Sequence, residues 1–200
     1  MRIAVLVSGS GTNLQAILDR EAADADFGAE VVLVLSDRPD AGGLERATAA
    51  GIPIAVVPWN GDREAFTALV CDTVIAAGAE AMVLAGFMRI LGPEAVRRFP
   101  DRIINVHPSL LPAFPGARAV EDALAHGVRL AGVTVHFVDE QVDHGPIITQ
   151  AAVPVAPDDT AETLHARIQI LEHRLYPEAV ADLAAGRLRV EGRHVRRDPT

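Results

Sequence analysis

The sequence predicts an α/β protein with a mostly parallel central sheet that carries helices on both faces. Short runs rich in Val, Ile and Leu alternate with segments of helical periodicity through the first half of the chain. Strand–helix–strand repeats of this kind build parallel sheets, whose strands are covered on both sides. Half of the 200 residues are apolar and 22% are charged, which is enough to bury a substantial core.

Seven strands and five helices are predicted. The strands lie near Ile3–Val7, Val31–Ser36, Ile54–Val57, Ala81–Ala85, Arg102–Val106, Gly132–Val138 and Ile147–Val153. The helices lie near Asn13–Arg20, Leu44–Ala50, Asp62–Ala77, Pro93–Phe99 and Ala161–Leu183, and Asp159-Thr160 caps the last of them. Because only Asp139–Pro146 separates the last two strands, which is too short for a crossover helix, we expect those strands to pair as an antiparallel hairpin.

The chain is predicted to form one domain over residues 1–200, since it contains no low-complexity linker, internal repeat or shift in composition. A short tail follows the last helix, over residues 186–200, and five arginines make it locally basic. We interpret this tail as a solvated or frayed end and not as a binding arm.

Charge and composition exclude several classes of protein. The formal net charge is −9, so the chain is poorly equipped to neutralise nucleic-acid phosphates, and small ligands are the expected partners. All 18 basic residues are arginines, and without lysine the chain cannot be a Schiff-base enzyme or a Walker-type nucleotide hydrolase.

No disulfide, metal site or membrane span is predicted. Cys71 is the only cysteine and lies in an apolar helix, so we expect a core residue and not a nucleophile. The histidines show no HExxH pattern, and we predict no metal. The longest apolar stretch, Val74–Leu91, is interrupted by two charges and two glycines, and no export signal opens the chain. The expected compartment is the cytoplasm.

A glycine-rich loop, Ser8–Asn13, joins the first strand to the first helix. Its glycines allow a bulky anion to approach the backbone, and the helix N-terminus directs free N–H groups at it. Thr12 and Gln15 have the spacing of a capping box. Since Leu14 occupies the place of the third glycine of a dinucleotide fingerprint, a phosphorylated substrate fits better than NAD. A glycine turn that binds nothing is the alternative.

Asn105 and His107 stand at the end of the fifth predicted strand, before a loop stiffened by three prolines. Strand alternation sends both side chains to one side, at the sheet edge where open α/β proteins bind ligands. The histidine can donate or shuttle a proton near neutral pH, and the amide can donate to an oxyanion. The alternative for His107 is a hydrogen-bonded structural residue.

The polar turn Asp139–Pro146 lies between two strongly apolar strands. A carboxylate in this turn could orient His107 and favour its imidazolium form. The alternative is an ordinary solvated turn.

Five collinear segments resemble the phosphoribosylglycinamide formyltransferases, a family of folate-dependent enzymes. The segments are SGSGTNLQAI, LAGFMRIL, NVHPSLLPAFPG, GVTVHFVDEQVDHGPIITQ and RIQILEHRLYP. The resemblance implies transfer of the formyl group of 10-formyltetrahydrofolate, as co-substrate, to the amine of glycinamide ribonucleotide in purine biosynthesis. It also implies a Rossmann-like sheet, no metal or nicotinamide, and a monomer or homodimer. Residues 1–100 would be the nucleotide- and phosphate-binding half, and residues 101–185 the catalytic and folate-binding half.

The resemblance also assigns site residues. It makes Asn105, His107 and Asp143 the catalytic group. The ribonucleotide would be held by Gly11, Thr12, Asn13 and Glu172, and the folate by Arg63, Met88, Arg89, Ile90, Leu91, Asn105, Glu140, Gln141, Val142 and Asp143. The chain departs from the family pattern at Arg118 and Val120, where many bacterial members carry histidines, and at His144, where a small residue is common.

Two relatives share the catalytic residues, and a third alternative is not an enzyme. Formyltetrahydrofolate hydrolase carries an additional N-terminal domain, whereas the first strand here is expected to begin at residue 3. Methionyl-tRNA formyltransferase carries an additional C-terminal domain and holds tRNA, whereas this chain ends early and is acidic. A non-catalytic sensor of phosphoribosyl ligands is the remaining alternative, and consumption of bound 10-formyltetrahydrofolate would distinguish it.

Overall fold

A computed structural model describes residues 1–198, and its elements follow the predicted alternation. The strands are β1 Arg2–Val7, β2 Glu30–Ser36, β3 Ile54–Val56, β4 Ala81–Leu84, β5 Ile103–His107, β6 Leu130–Phe137, β7 Ile147–Pro154, β8 Leu188–Glu191 and β9 His194–Arg197. The helices are α1 Thr12–Ala23, α2 Gly42–Ala49, α3 Arg63–Ala76, α4 Pro93–Arg98, α5 Ala119–His126 and α6 Ala161–Ala184. None of the helices in this described part of the chain has the length and apolarity that crossing a membrane requires.

The strands form a single sheet in the order β3-β2-β1-β4-β5-β6-β7-β9-β8. Strands β1 to β5 are mutually parallel, and β6 is antiparallel to both β5 and β7. The strand order reverses between β1 and β4, and such a switch point opens a crevice at the carboxyl ends of the strands. The predicted mostly parallel sheet and the β6–β7 hairpin are confirmed.

The two faces of the sheet are covered by two separate apolar layers. Ile3 and Val5 of β1 face a layer that includes Leu14 of α1 and Ile168 of α6. The alternate residues of β1 face a second layer, which includes Phe66 of α3. Because successive residues of a strand point to opposite faces, a continuous apolar run such as that of β1 serves both layers.

Helix α6 is fixed to the sheet below the crevice. Its buried Tyr176 shares its hydroxyl hydrogen between the carbonyl oxygens of Leu84 and Ile104, at 2.9 and 3.0 Å. The helix begins at Thr160, whose side chain and that of Thr163 form a reciprocal capping box, so the predicted cap is confirmed. These contacts set the position of the α6 residues that face the crevice.

Three expectations about local structure are wrong. Helix α5 was not predicted, although Gly127, in the left-handed region with φ 78°, terminates it in the usual way. The proposed Thr12–Gln15 capping box is absent, because Gly11 is the N-cap of α1 and the Gln15 side chain bonds to Asp19 and Arg46 instead.

The tail is the third correction. Residues 188–197 are not frayed, since β8 and β9 pair with each other and β9 joins the sheet beside β7 at Ile147. The buried carboxylate of Asp182 accepts hydrogen bonds from Arg187 and Arg197 and ties this hairpin to α6. The last two residues of the predicted tail, 199–200, lie outside the described residues.

Candidate active site

A cleft of about 700 Å³ opens at the carboxyl ends of β1, β4 and β5. Its volume suits one or two small ligands, and its place in the fold is where open α/β sheets bind them. The cleft brings together the glycine-rich loop, the end of β5 and the polar turn, with every predicted site residue except Arg63. Its lining includes Gly11, Thr12, Asn13, Met88, Arg89, Ile90, Leu91, Asn105, His107, Glu140, Gln141, Val142, Asp143 and Glu172.

One end of the cleft is the glycine loop before α1. Gly11 adopts φ 73°, and a Cβ there would lie 2.5 Å from the Cα of Gly43, so only glycine fits. No side chain caps α1. The N–H groups of its first turn therefore remain available for an anion, as the glycine spacing predicted.

Asn13 and Glu172 meet at this end of the cleft, although they are 159 residues apart. The Asn13 Nδ2 atom donates to Glu172 Oε2 at 2.8 Å, and both residues are buried. The Asn13 Oδ1 atom is also buried and has no hydrogen-bond partner within residues 1–198. A carboxylate and an amide oxygen thus lie beside the anion-binding helix terminus, where they can accept from hydroxyl or amine groups of a ligand.

His107 has an acceptor at each ring nitrogen. Its Nε2 atom lies 2.9 Å from the carbonyl oxygen of Phe114, and its Nδ1 atom lies 3.4 Å from Asp143 Oδ2. Only the doubly protonated imidazolium can direct an N–H at both acceptors. The side chain is 8% exposed, and it reaches the cleft from the end of β5 as strand alternation predicted.

His136 is a site residue that the sequence reasoning missed. It stands directly opposite Asn105 in the β5–β6 pairing, and its Nε2 atom lies 3.2 Å from Asn105 Nδ2. Burial lowers the pKa of His136, which favours the neutral ring. Its Nδ1–H then donates to the carbonyl oxygen of Phe137, and Nε2 accepts from the Asn105 amide. This hydrogen bond fixes the orientation of the Asn105 amide. The role of His136 follows from the β5–β6 pairing register.

Asp143 is held in an unusual backbone conformation beside the two histidines. Its φ is 51°, in the left-handed region that non-glycine residues seldom occupy and that Asp101 and Phe114 also adopt. Its Oδ2 atom accepts from the Gly116 backbone N–H at 2.7 Å, and Oδ1 lies 3.8 Å from His136 Nε2. The loop that carries it is packed tightly, because a Cβ at Gly145 would lie 1.8 Å from the carbonyl oxygen of Phe137.

The other end of the cleft has an apolar wall with charged neighbours. Met88, Ile90 and Val142 are among the most exposed large apolar residues of the chain, at 65%, 53% and 49%. Apolar side chains open to a cleft suit a flat aromatic ligand. The structure does not place Arg63 on this wall. It is the first residue of α3, its side chain is 42% exposed, and its proposed folate contact stays a prediction.

The positions that depart from the family pattern have local partners. His144 bonds through Nδ1 to Asp139 Oδ2 at 2.7 Å, and Arg193 of the β8–β9 turn lies beside both side chains. Arg118 is the N-cap of α5, and Val120 is buried within that helix. None of these side chains displaces Asn105, His107 or Asp143 from the cleft.

Cys71 lies in the core, as predicted, and burial raises the pKa of its thiol to about 11. The groups at the centre of the cleft are an amide that donates hydrogen bonds, an imidazole that can donate or transfer a proton, and a carboxylate that accepts. Donors of this kind stabilise the negative charge that develops on a carbonyl oxygen during acyl transfer.

The chain belongs to the formyl transferase family, since the model of that family matches residues 1–180. Phosphoribosylglycinamide formyltransferase of Mycobacterium tuberculosis is 45% identical over 194 residues, which are 96% of this chain and 89% of the relative. The trifunctional purine biosynthetic protein adenosine-3 of Drosophila melanogaster is 47% identical over 189 residues. The match covers 92% of this chain but only 14% of the fly protein.

Solved structures show the same fold. Glycinamide ribonucleotide transformylase 1 from Symbiobacterium toebii aligns with a TM-score of 0.94 and 52% identity, over 100% of this chain and 94% of that one. A formyltetrahydrofolate deformylase from Pseudomonas syringae aligns with a TM-score of 0.91 and 29% identity, over 99% of this chain and 66% of the deformylase. The resemblance seen in the sequence is confirmed at the level of family and fold.

Proposed function

We propose that this chain transfers the formyl group of 10-formyltetrahydrofolate to the amine of glycinamide ribonucleotide. The products are formylglycinamide ribonucleotide and tetrahydrofolate, a step of de novo purine (IMP) biosynthesis, and the compartment we propose is the cytoplasm. Two relatives support this assignment: the phosphoribosylglycinamide formyltransferase of Mycobacterium tuberculosis, at 45% identity, and the glycinamide ribonucleotide transformylase of Symbiobacterium toebii, at 52%. The deformylase is less similar, at 29% identity.

The observation that carries the proposal is the arrangement of the cleft. Asn105, His107 and Asp143 lie between an anion-binding helix terminus on one side and an exposed apolar wall on the other. A phosphorylated acceptor and a flat aromatic donor therefore have separate places, and the reacting groups meet between them. Holding two reactants in line can supply about 7–11 kcal/mol of the barrier reduction.

In the proposed reaction, the acceptor amine attacks the formyl carbon, and negative charge develops on the formyl oxygen. Asn105 donates one amide N–H to His136, which leaves its second N–H for that oxygen. The Nε2–H of His107, which faces the Phe114 carbonyl oxygen, is the second proposed donor once the formyl oxygen takes the place of that acceptor. The bond from the formyl carbon to the folate nitrogen then breaks.

Asp143 has two proposed tasks. Its carboxylate, 3.4 Å from His107 Nδ1, orients the imidazole ring. It also helps to move the proton lost by the attacking amine to the departing folate nitrogen, through a water molecule, so that protons balance over the cycle.

The remaining cleft residues are proposed to bind. Gly11, Thr12 and Asn13 would hold the ribonucleotide phosphate, and Glu172 would accept from the ribonucleotide near its amine. The segments 88–91 and 140–143 would hold the folate, together with Arg63. The chain would act as a monomer or a homodimer.

Release of tetrahydrofolate from 10-formyltetrahydrofolate, followed by absorbance with and without glycinamide ribonucleotide, tests the function. The proposal expects release that depends on the ribonucleotide. Release of equal rate without it would identify a hydrolase, like the deformylase neighbour, and no release by folded protein would favour a non-catalytic sensor.

A further inference from the structure

A buried carboxylate at the end of β2 takes no part in the proposed reaction. Asp37 follows the last residue of β2, and its side chain is 1% exposed. A charge removed from water must be compensated by close partners, or it destabilises the fold. Asp37 has two: Ser8 Oγ donates to its Oδ1 atom at 2.5 Å, and Arg89 Nε donates to its Oδ2 atom at 2.6 Å.

Both partners of Asp37 hold the apolar wall of the cleft. Ser8 Oγ accepts from the backbone N–H of Met88 at 2.9 Å, and the Ser8 N–H donates to the carbonyl oxygen of Gly86 at 3.1 Å. Because its own hydrogen points at Asp37, the Ser8 hydroxyl turns a lone pair toward Met88. The carboxylate thus fixes the backbone of the wall through the serine.

Arg89 is held from a second direction as well. Its guanidinium carbon lies 5.3 Å from the centre of the Trp59 ring, a cation–π contact, while its Nε atom is bound to Asp37. The side chain is 36% exposed and lines the cleft. Without the carboxylate, a long and flexible side chain would lose the partner that directs it.

The glycine loop at the other end of the cleft has anchors of its own. Gly43 N donates to the carbonyl oxygen of Gly9 at 3.1 Å, and Arg46 Nε donates to that of Ser10 at 2.8 Å. Gly11 packs on Gly43. Asp37 bonds to this loop at its first residue, Ser8, whereas none of the anchors of Gly9, Ser10 and Gly11 passes through Asp37. Loss of its charge should therefore affect the two ends of the cleft unequally.

We infer that Asp37 is a positioning residue for the folate wall, which it fixes through Ser8 and Arg89, and that it sets affinity for the folate and not for the ribonucleotide. This inference rests on the proposed function for the identity of the ligand. A wall displaced by even 1 Å can cost on the order of a hundredfold in rate.

The test compares Asp37→Asn with Asp72→Asn. Asp72 also pairs with an arginine, Arg98, at 2.7 Å, but on α3 and α4, away from the cleft. For Asp37→Asn we expect the dissociation constant of 10-formyltetrahydrofolate, titrated calorimetrically without ribonucleotide, to rise about tenfold or more. The KM for glycinamide ribonucleotide should change by less than about threefold, and Asp72→Asn should leave both constants unchanged.

The double variant Asp37→Asn/Arg89→Gln protects the test against misfolding, because it leaves neither charge without its partner. It should weaken folate binding at least as much as Asp37→Asn alone, because it also removes a side chain that lines the proposed folate site. Folate affinity equal to that of Asp72→Asn, or an equal loss of affinity for both substrates, would overturn the inference. A lack of turnover in the unaltered chain would contradict the proposed function instead, and the folate titration does not depend on turnover.

Discussion

At the scale of single residues, the orientation of the Asn105 amide depends on His136, to which the sequence analysis assigned no role. Asn105 and His107 could be predicted to share a side of β5, since strand alternation requires it. His136 could not, because its place opposite Asn105 follows from the β5–β6 register and not from the local sequence. Burial lowers the pKa of His136, which favours the neutral ring whose Nε2 accepts from the amide.

Removal of the Asn105 amide tests its role as a donor. The Asn105→Ala variant should lower kcat by a factor of hundreds, because one lost oxyanion donor typically costs about 2.7–4 kcal/mol of barrier. Steady-state rates at saturating folate and ribonucleotide measure the effect, with circular dichroism as the check on folding. A variant that turned over at the normal rate while His107→Ala was inactive would contradict the role given to Asn105.

The protonation of His136 makes stability depend on pH. Its pKa is lowered in the folded chain from the ordinary 6.5, so as the pH falls below 6.5 the unfolded chain takes up a proton that the folded chain refuses. Among the neighbouring charged and titratable groups, Asp143 and Asp139 raise the pKa of His136 and His107 lowers it further. The contribution of His136 to the free energy of unfolding is thus complete above pH 6.5 and declines below it.

Urea unfolding between pH 7.5 and 5, with unaltered chain and His136→Gln, measures this contribution. The free energy of unfolding of the unaltered chain should fall more steeply toward acid than that of the variant, because the other six histidines are common to both. Parallel curves would show that His136 binds protons equally in both states.

At the scale of elements, the start of α1 shows what glycine does for the anion site. The strand–glycine–helix pattern was sufficient to predict the loop, but the proposed capping box was wrong because Gly11 itself is the N-cap. A left-handed N-cap with no side chain leaves the N–H groups of the first turn free, and a serine or aspartate cap would have occupied one of them.

Gly11→Ala should therefore disturb both stability and ribonucleotide binding. The φ of 73° alone costs about 1–2 kcal/mol for a residue with a Cβ, and the new atom would also meet the Gly43 backbone at 2.5 Å. Gly51→Ala is the matched control, since Gly51 has φ 72° and nothing within 4 Å. Thermal melting should show a larger loss for Gly11→Ala, together with a raised KM for ribonucleotide. Equal melting losses would show that the Gly43 contact is unimportant.

The β8–β9 hairpin is an element that composition alone concealed. Its arginines read as a solvated tail, yet two of the arginines in this region bind the buried Asp182 of α6. A long-range partner of this kind leaves no periodic signal in the sequence, because it lies on a different element.

Asp182→Asn should loosen the hairpin. Loss of a buried charge that bonds Arg187 and Arg197 is expected to cost about 1–3 kcal/mol, and hydrogen exchange of the amides in 188–197 should accelerate. Asp198→Asn is the control, because Asp198 pairs with Arg189 at the exposed side of the same hairpin. Unchanged exchange in Asp182→Asn would contradict the anchoring role.

At the scale of the whole molecule, the alternation of apolar runs and helices was enough to predict the layers of the fold. It could not supply the strand order, and it is this order that places the crevice between β1 and β4. The sequence pattern also could not show that Asn13 meets Glu172, or that Asp37 lies between Ser8 and Arg89, because each contact joins elements far apart in the chain. The five collinear motifs supplied much of this missing information, because their resemblance to a family implied which residues form the site.

The most direct measurement of the central claim is the stoichiometry of a single reaction mixture. Purified chain would be incubated with 10-formyltetrahydrofolate and glycinamide ribonucleotide, tetrahydrofolate would be followed by absorbance, and the ribonucleotide product would be identified by mass spectrometry. We expect one formylated ribonucleotide for each tetrahydrofolate released, and no release without the ribonucleotide. Tetrahydrofolate formed with free formate and an unaltered ribonucleotide would contradict the proposed transfer.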